Sequence, residues 1–350
     1  MKSRTRRSRT LSERELNRAL LARQHLLERA GTALPRVIER VGGLQTQYAP
    51  AGYVALRTRL EGFRRQDLTR ALERRRVVQA WMMRSTIHMA SAHDFWLFLA
   101  GVREARRRAW VQGFRTTPRE GAAAGAKVER LLGDGPRRRA EIVKELGFDS
   151  ATWYGACLWV DLVRVPPSGT WDRPRADLYG LARDWLGAAP EMTRDEGLEH
   201  RLRRYLGAFG PASAGDAASW IGVRPTALAP VLERMSLRRF LDENGTELVD
   251  LPRAPLPPAD TPAPPRLLGV WDAMLLAHAR RTQVLPERVR SRVFNTKTPH
   301  SINTFLVDGQ VAGGWRHEDG RIVLDPFDRL SKETRRALDD EAEHLAELFA

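Results

Sequence analysis

The sequence predicts a mainly α protein with β-hairpin wings, of α+β class, built from three tandem winged-helix units and a C-terminal mixed α/β segment. Three observations lead there. First, the middle of the 350-residue chain repeats itself: Gly135-Pro136 and Gly210-Pro211 open two stretches, each running through a helical pattern to a glycine in the same register, Gly147 and Gly222. At that offset Val143 falls on Ala218, Leu146 on Ile221, Leu162 on Leu237 and Val165 on Phe240, so apolar positions superpose. Second, each copy closes on a turn between strand-like runs, and Asn244-Gly245 in the later copy is a strong local hairpin signal. Third, 58 Lys and Arg stand against 43 Asp and Glu, a formal charge of +15 that favours a phosphate polyanion as partner.

The elements follow in order. The first ten residues carry Lys2, Arg4, Arg6, Arg7 and Arg9 with no apolar segment behind them, which reads as a basic tail rather than a secretory signal. No apolar run approaches the roughly 20 residues of a bilayer span, so the expected location is the cytoplasm, on nucleic acid. Ser12 and Glu15 form a capping box for a helix over 12–27. Pro35 opens a short helix that Gly42-Gly43 closes, Asp67 caps another reaching residue 75, 77–83 with 85–90 makes a wing, and Ser91 with Asp94 starts a helix to about residue 112. Together these make a first unit over 1–118. The second, 119–190, has helices over 119–132, 138–146 and 151–162, then a hairpin of 162–165 and 176–181 across a Pro166-Pro167-Ser168-Gly169 turn. The third, 191–251, starts with a Thr193/Glu196 capping box and a helix over 193–206, followed by helices over 214–221 and 224–235 and the Asn244-Gly245 hairpin. The proline-rich stretch 252–265 reads as an extended linker. In the C-terminal segment, 266–350, a strand over 267–270, helices over 272–279 and 286–293, a hairpin of 302–307 and 310–315 around Asp308-Gly309, and a closing helix from Ser331 are expected.

Little in the chain carries obvious chemistry. The single cysteine, Cys157, lies among Ala156, Leu158 and Trp159; it offers no internal disulfide or thiolate metal site and reads as a buried apolar residue. Asp340 and His344 share a helix face, but no second histidine falls at a ligand spacing, so this is a solvated acidic face and no metal is expected. No phosphate-cradling glycine loop, dinucleotide fingerprint or GxSxG elbow is present, and no cofactor is expected. Trp153, Trp159, Trp220 and Trp271 fall at apolar positions suited to core packing.

Gln45 and Gln47 are the exception. Two apart on an extended backbone, they leave from one face and can converge on one small target. Neutral amides take up no proton, so in catalysis they can only orient a water onto a bond already close to breaking. Spacing alone describes two polar residues solvating a loop equally simply. Arg84, Thr86 and His88 share one strand face, either as phosphate or base contacts or as the solvated edge of a wing. Lys297 and His300 lie in a loop that flanks a nucleic-acid groove on one reading and is a plain basic loop on the other.

With tandem winged helices, a Gln-x-Gln after the first Gly-Gly, an Arg-Ser-Thr-Ile-His wing and the Val-Asp-Gly-Gln-Val-Ala-Gly-Gly-Trp-Arg hairpin, the chain resembles the AlkZ/YcaQ-like winged-helix DNA glycosylases over nearly its whole length. The resemblance implies a basic concave cleft for duplex DNA, with a Gln-x-Gln or Gln-x-Asp pair and a β-hairpin needed for base excision. It carries that pair onto Gln45 and Gln47, on the Gln-x-Gln, AlkZ-like side of the family. The middle position, often apolar in the family, is Thr46 here and faces the other way. Two hairpins are open as the essential one: 305–315, with Asp308 and Gly309 at its tip against DNA, and the wing over 77–90. The implied activity is that of a metal-free, monofunctional glycosylase, acting as a monomer on bulky or cross-linking N7-alkylpurines in duplex DNA without a lysine Schiff base. Self-resistance to a genotoxic metabolite fits such an activity. A non-catalytic winged-helix DNA-binding regulator is the alternative.

Overall fold

The computed structural model describes residues 9–83, 86–175, 177–279, 281–294 and 301–350. Most of the basic tail, Arg84, Ala176, Lys297 and His300 lie outside the described residues. No helix is long and apolar enough to cross a membrane, among the described residues.

The N-terminal third opens with β1 (Arg9–Leu11) and α1 (Glu13–Arg23), whose Ser12/Glu15 capping box is present. Instead of running to residue 27, α1 stops at its Gln24 cap, and His25 turns left-handed at φ 54°. Next come α2 (Leu34–Arg40), β2 (Leu44–Gln45), α3 (Ala49–Arg59) and α4 (Arg65–Glu73). Asp67 sits in the first turn of α4, accepting from the Arg64 N–H at 2.9 Å, rather than at the cap itself. The antiparallel pair β3 (Val77–Met83) and β4 (Thr86–Ser91) leads into α5 (Ala92–Ala100) and α6 (Arg103–Phe114). The single helix expected over 91–112 is broken because Gly101 is in backbone contact with a helix further along the chain, where a Cβ on Gly197 would overlap the Gly101 nitrogen.

The middle of the chain holds α7 (Pro118–Leu131), β5 (Arg137–Arg138), α8 (Arg139–Leu146), α9 (Ser150–Trp159), β6 (Leu162–Arg164), β7 (Leu178–Leu181) and α10 (Ala182–Leu186). It continues with α11 (Arg194–Phe209), α12 (Ala214–Ile221), α13 (Pro225–Arg234), β8 (Arg238–Asp242) and β9 (Glu247–Asp250). Two helices ending in a hairpin thus occur twice, in α8–α9–β6–β7 and α12–α13–β8–β9. Both first helices end at a left-handed glycine in the register of the repeat, Gly147 at φ 64° and Gly222 at φ 85°.

Strand pairing joins what the sequence reads as separate hairpins. A single pairing, Gln79 with Arg164, fuses β3–β4 and β6–β7 into one six-stranded sheet of order β2-β4-β3-β6-β7-β5. The third hairpin instead recruits β1, parallel to β8, from the start of the chain.

The C-terminal segment is less helical than expected. Residues 272–279 hold only a 3₁₀ turn, Ala273–Leu275, and 286–293 a 3₁₀ turn followed by α14 (Arg290–Val293). In compensation, β10 (Arg266–Leu268), β11 (Thr304–Val307), β12 (Gln310–Glu318) and an unanticipated β13 (Arg321–Pro326) form a four-stranded sheet, covered by α15 (Lys332–Ala346) with Ser331 as its cap. The proline-rich stretch forms no regular element and is a strap pinned to α1: Arg14 donates to Ala259, Arg18 to Thr261 and Arg23 to Pro255 carbonyls.

One core joins α5, α11 and α12 through Phe95, Phe98, Tyr205, Phe209 and Trp220, and a second joins α2, α3, α4 and α15. Trp153 and Trp220 are buried as expected, whereas Trp159 and Trp271 are half-buried. Cys157 is half-buried too, and burial pushes its thiol up to about 12.

Beside the first core, Asp94 on α5 accepts hydrogen bonds from His200 Nε2 and Arg204 on α11, both at 2.8 Å. Burial opposes the carboxylate, but these two contacts outweigh it and hold Asp94 below its ordinary 3.8. A carboxyl depressed on folding stabilises the protein above its unfolded pKa, and the contribution fades as pH falls through the folded value. Wild-type urea midpoints should therefore drop on acidification below about pH 4. Asp94→Asn should start lower at neutral pH and show a smaller acid drop; equal slopes for the two proteins would refute the assignment.

Candidate active site

Gly42 and Gly43, at φ 79° and 83°, end α2 and turn the chain into β2, a backbone path that a side chain there would strain. The register is then set by β4, with Leu44 opposite Met89 and Gln45 opposite His88. One residue on, the Thr46 N–H donates to the Ile87 carbonyl at 2.9 Å. The Ile87 N–H, which an unbroken ladder would return to Thr46, goes instead to Gln47 Oε1 at 3.1 Å. That bond orients the Gln47 amide, because a backbone N–H can meet only its carbonyl end, which leaves the NH₂ to donate elsewhere.

The pair therefore stands at a strand-to-helix junction. Gln45 is half-buried, Gln47 exposed and Thr46 buried on the opposite face, as the alternation requires. Behind Thr46, α3 comes so close at Gly52 that a Cβ there would lie 2.8 Å from Thr46 Cγ2. Gly52→Ala should push α3 away and disturb the pair, at a cost of about 1–3 kcal/mol. The measurement is urea unfolding alongside any activity that depends on Gln45 and Gln47; unchanged values for both would remove Gly52 from the supporting frame.

The other candidates fall in different places. His88 is 2% exposed, so it is not the exposed wing contact the strand pattern suggested. It lies across the ladder from Gln45, on the same face of the sheet, and its Nδ1 is 3.1 Å from the Thr86 carbonyl, which fixes the ring beside Gln45. Thr86 is half-buried, with its hydroxyl donating to the Met83 carbonyl at 3.1 Å. Hence the wing over 77–90 is the hairpin that carries the Gln pair on its edge.

The 305–315 hairpin differs. Asp308 and Gly309 form the expected turn, with φ 47° and 80°. The turn is docked on α1: Asp308 is paired with Arg14 at 2.7 Å and with Arg18, while Asn17 donates to the Gly309 carbonyl at 2.8 Å. Its polar groups are thus paired within the protein, although the Asp308 side chain remains about half exposed at the surface. On α15, Asp340 is exposed and His344 is turned onto Arg57, its Nδ1 3.2 Å from the guanidinium. No group of three His, Cys, Asp or Glu that could hold a metal ion occurs among the described residues.

Sequence reasoning missed Tyr48, which caps α3 immediately after Gln47 and is 42% exposed, a large aromatic left uncovered beside the pair. The available signal was Pro50, whose place in the first turn of a helix announces α3.

Comparison with known proteins identifies the family and the fold. The family described as DNA glycosylase AlkZ-like matches residues 38–348, a span that starts before the Gly-Gly turn and ends just past the closing helix. An interstrand DNA cross-link repair glycosylase of Streptomyces sahachiroi is 25% identical, with 93% of each chain covered. The solved structure of the Streptomyces sahachiroi DNA glycosylase AlkZ superposes with a TM-score of 0.82 over 97% of each chain, at 22% identity, so the mixed α+β architecture is shared from end to end. The chain belongs to the AlkZ-like DNA glycosylase family.

Proposed function

We propose that this glycosylase hydrolyses the N-glycosidic bond of bulky or cross-linking N7-alkylguanine in duplex DNA, with Gln45 and Gln47 positioning the attacking water. Alkylation at N7 makes the base a cationic leaving group, so the bond ionises toward an oxocarbenium without a strong acid to protonate the base. What the enzyme must add is placement. Gln45 Oε1 accepts from the water, and the NH₂ of Gln47, fixed by the Ile87 N–H, holds the water or the sugar oxygen. The observation that carries this reading is that orienting bond on an exposed amide two residues beyond the half-buried Gln45, at the end of β2.

The scaffold reading goes with it: winged helices over 1–118, 119–190 and 191–251, the strap over 252–265 and the C-terminal segment together cradle DNA, the protein working as a monomer without metal or Schiff base. The name of the Streptomyces sahachiroi relative, an interstrand DNA cross-link repair glycosylase, supports cross-links among the substrates; self-resistance to a DNA-alkylating metabolite is the setting that fits such an activity. The test is incubation with duplexes carrying adducts from methyl to large intercalating and cross-linking groups, scoring abasic sites after heat. Release above spontaneous depurination that increases with adduct size is expected; no excess for any adduct would overturn the proposal.

A further inference from the structure

The loop between β6 and β7 and the start of α8 enclose a groove that no part of the excision chemistry uses. Arg173 and Arg175 come from the loop, Arg138 and Arg139 from the β5–α8 junction, and Asp172 and Asp177 complete the lining. Asp177 is committed to Arg164 at 2.9 Å. Arg139 lies over the Tyr154 ring, 5.3 Å from its centre. Arg138, Arg173 and Arg175 are exposed and form no ion pair among the described residues. Several guanidinium groups around one concavity repel one another until an anion enters, and their planar forks match phosphate oxygens two at a time.

The loop carrying them is held firmly. Gln79 Nε2 donates to the Gly169 carbonyl at 2.7 Å, the Gly169 N–H to the Arg173 carbonyl at 3.0 Å, and the Trp171 ring packs edge-on against Tyr53 at 5.5 Å and Phe349 at 5.2 Å. Tyr53 belongs to α3, the helix that starts just after Gln47. The same six-stranded sheet carries Gln45 on its first strand, β2, and Arg138 on its last, β5. Strands about 4.8 Å apart put these two edges about 24 Å from each other, or about seven base-pair steps of a duplex.

We propose that the Arg138–Arg139–Arg173–Arg175 groove is a phosphate-binding subsite that grips the duplex backbone about seven base pairs from the lesion, fixing its register on the Gln pair. The placement relative to the lesion rests on Gln45 and Gln47 being the excision site; the binding of phosphate does not.

Ethylation interference on a duplex with one central N7-alkylguanine tests it. The wild-type protein should be sensitive to ethylation of a phosphate cluster about seven nucleotides to one side of the lesion. Arg173→Ala/Arg175→Ala should lose that cluster alone, and its salt slope on undamaged duplex should shrink by about two. The charge-matched Arg335→Ala/Arg336→Ala on α15 should keep the cluster. A groove variant with the wild-type pattern and slope would overturn the subsite, as would loss of the same cluster in the α15 variant. The salt slope needs no excision, so a protein that binds through the groove yet releases no base overturns the reading of the Gln pair and leaves the groove standing.

Discussion

Replacing Gln45 or Gln47 with alanine should lower single-turnover excision of N7-alkylguanine by about a hundredfold, the scale on which misplacing a reactant slows a reaction. The double variant should be little worse than the poorer single one, because two groups holding one water act as a unit. Neither substitution should unfold the protein: at half-buried Gln45 stability should change by about 0.5 kcal/mol or less, while Gln47→Ala, which leaves the Ile87 N–H unpaired, should cost about 1 kcal/mol. Affinity for undamaged duplex should also hold, since it comes from arginine contacts to phosphate and not from two neutral amides. The experiment is therefore a set of three readings, excision rate, urea midpoint and duplex affinity, of which only the first should move by orders of magnitude. Wild-type rates in both single variants would end the assignment of catalysis to this pair.

The two residues should differ in one respect. Gln47→Ala frees the Ile87 N–H, which in the wild type is occupied by the Gln47 carbonyl at 3.1 Å, so β4 gains an unpaired donor beside the site. Gln45→Ala removes an amide with no such duty. Excess solvent exchange of the Ile87 amide in the Gln47 variant alone would show the orienting bond at work.

How far the sequence discloses this arrangement depends on the range of the forces involved. Local signals translate directly: the Ser12/Glu15 and Thr193/Glu196 capping boxes form, Gly147 and Gly222 close their helices, and Asp308-Gly309 makes its turn, since each rests on bonds within a few residues. The Gln pair was legible as two amides two residues apart, a spacing that needs no tertiary contact to read. Its neighbours were not. The burial of His88 depends on β2 pairing with β4, a contact across 40 residues of chain that periodicity does not encode. The helix α3 was hidden because its residues are buried on every side, so the apolar stripe that usually reveals a helix is absent. Likewise Asp308 looks from sequence like the polar tip of a free hairpin, and only Arg14 and Arg18 on α1 give its carboxylate an internal partner.

The second large effect expected is on stability, at Asp250. This carboxylate is fully buried, as is the side chain of Arg23 that meets it at 2.7 and 3.0 Å in a two-pronged pair. Arg238 adds a third contact and the Leu251 N–H a fourth at 2.9 Å, so every donor around Asp250 relies on its negative charge. The cluster connects the end of α1 to β9, and Arg23 extends it to the carbonyls of Leu206 and Pro255, drawing α11 and the strap into the same knot. Asp250→Asn keeps the shape but leaves two guanidinium groups facing a neutral amide, and breaking a buried pair from one side costs about 3–5 kcal/mol. The pair itself is a different matter. Desolvating both ions offsets most of their attraction, so replacing Arg23 with Met and Asp250 with Leu together should cost far less than either change alone. Urea unfolding of the single and double variants decides between the two quantities. A large loss in Asp250→Asn that the double replacement largely recovers means that the cluster acts by forbidding unpaired charge where α1, α11 and β9 meet. An equal loss in both would mean instead that the ion pair is itself a net source of stability, and a loss below about 1 kcal/mol in Asp250→Asn would place the site in contact with water.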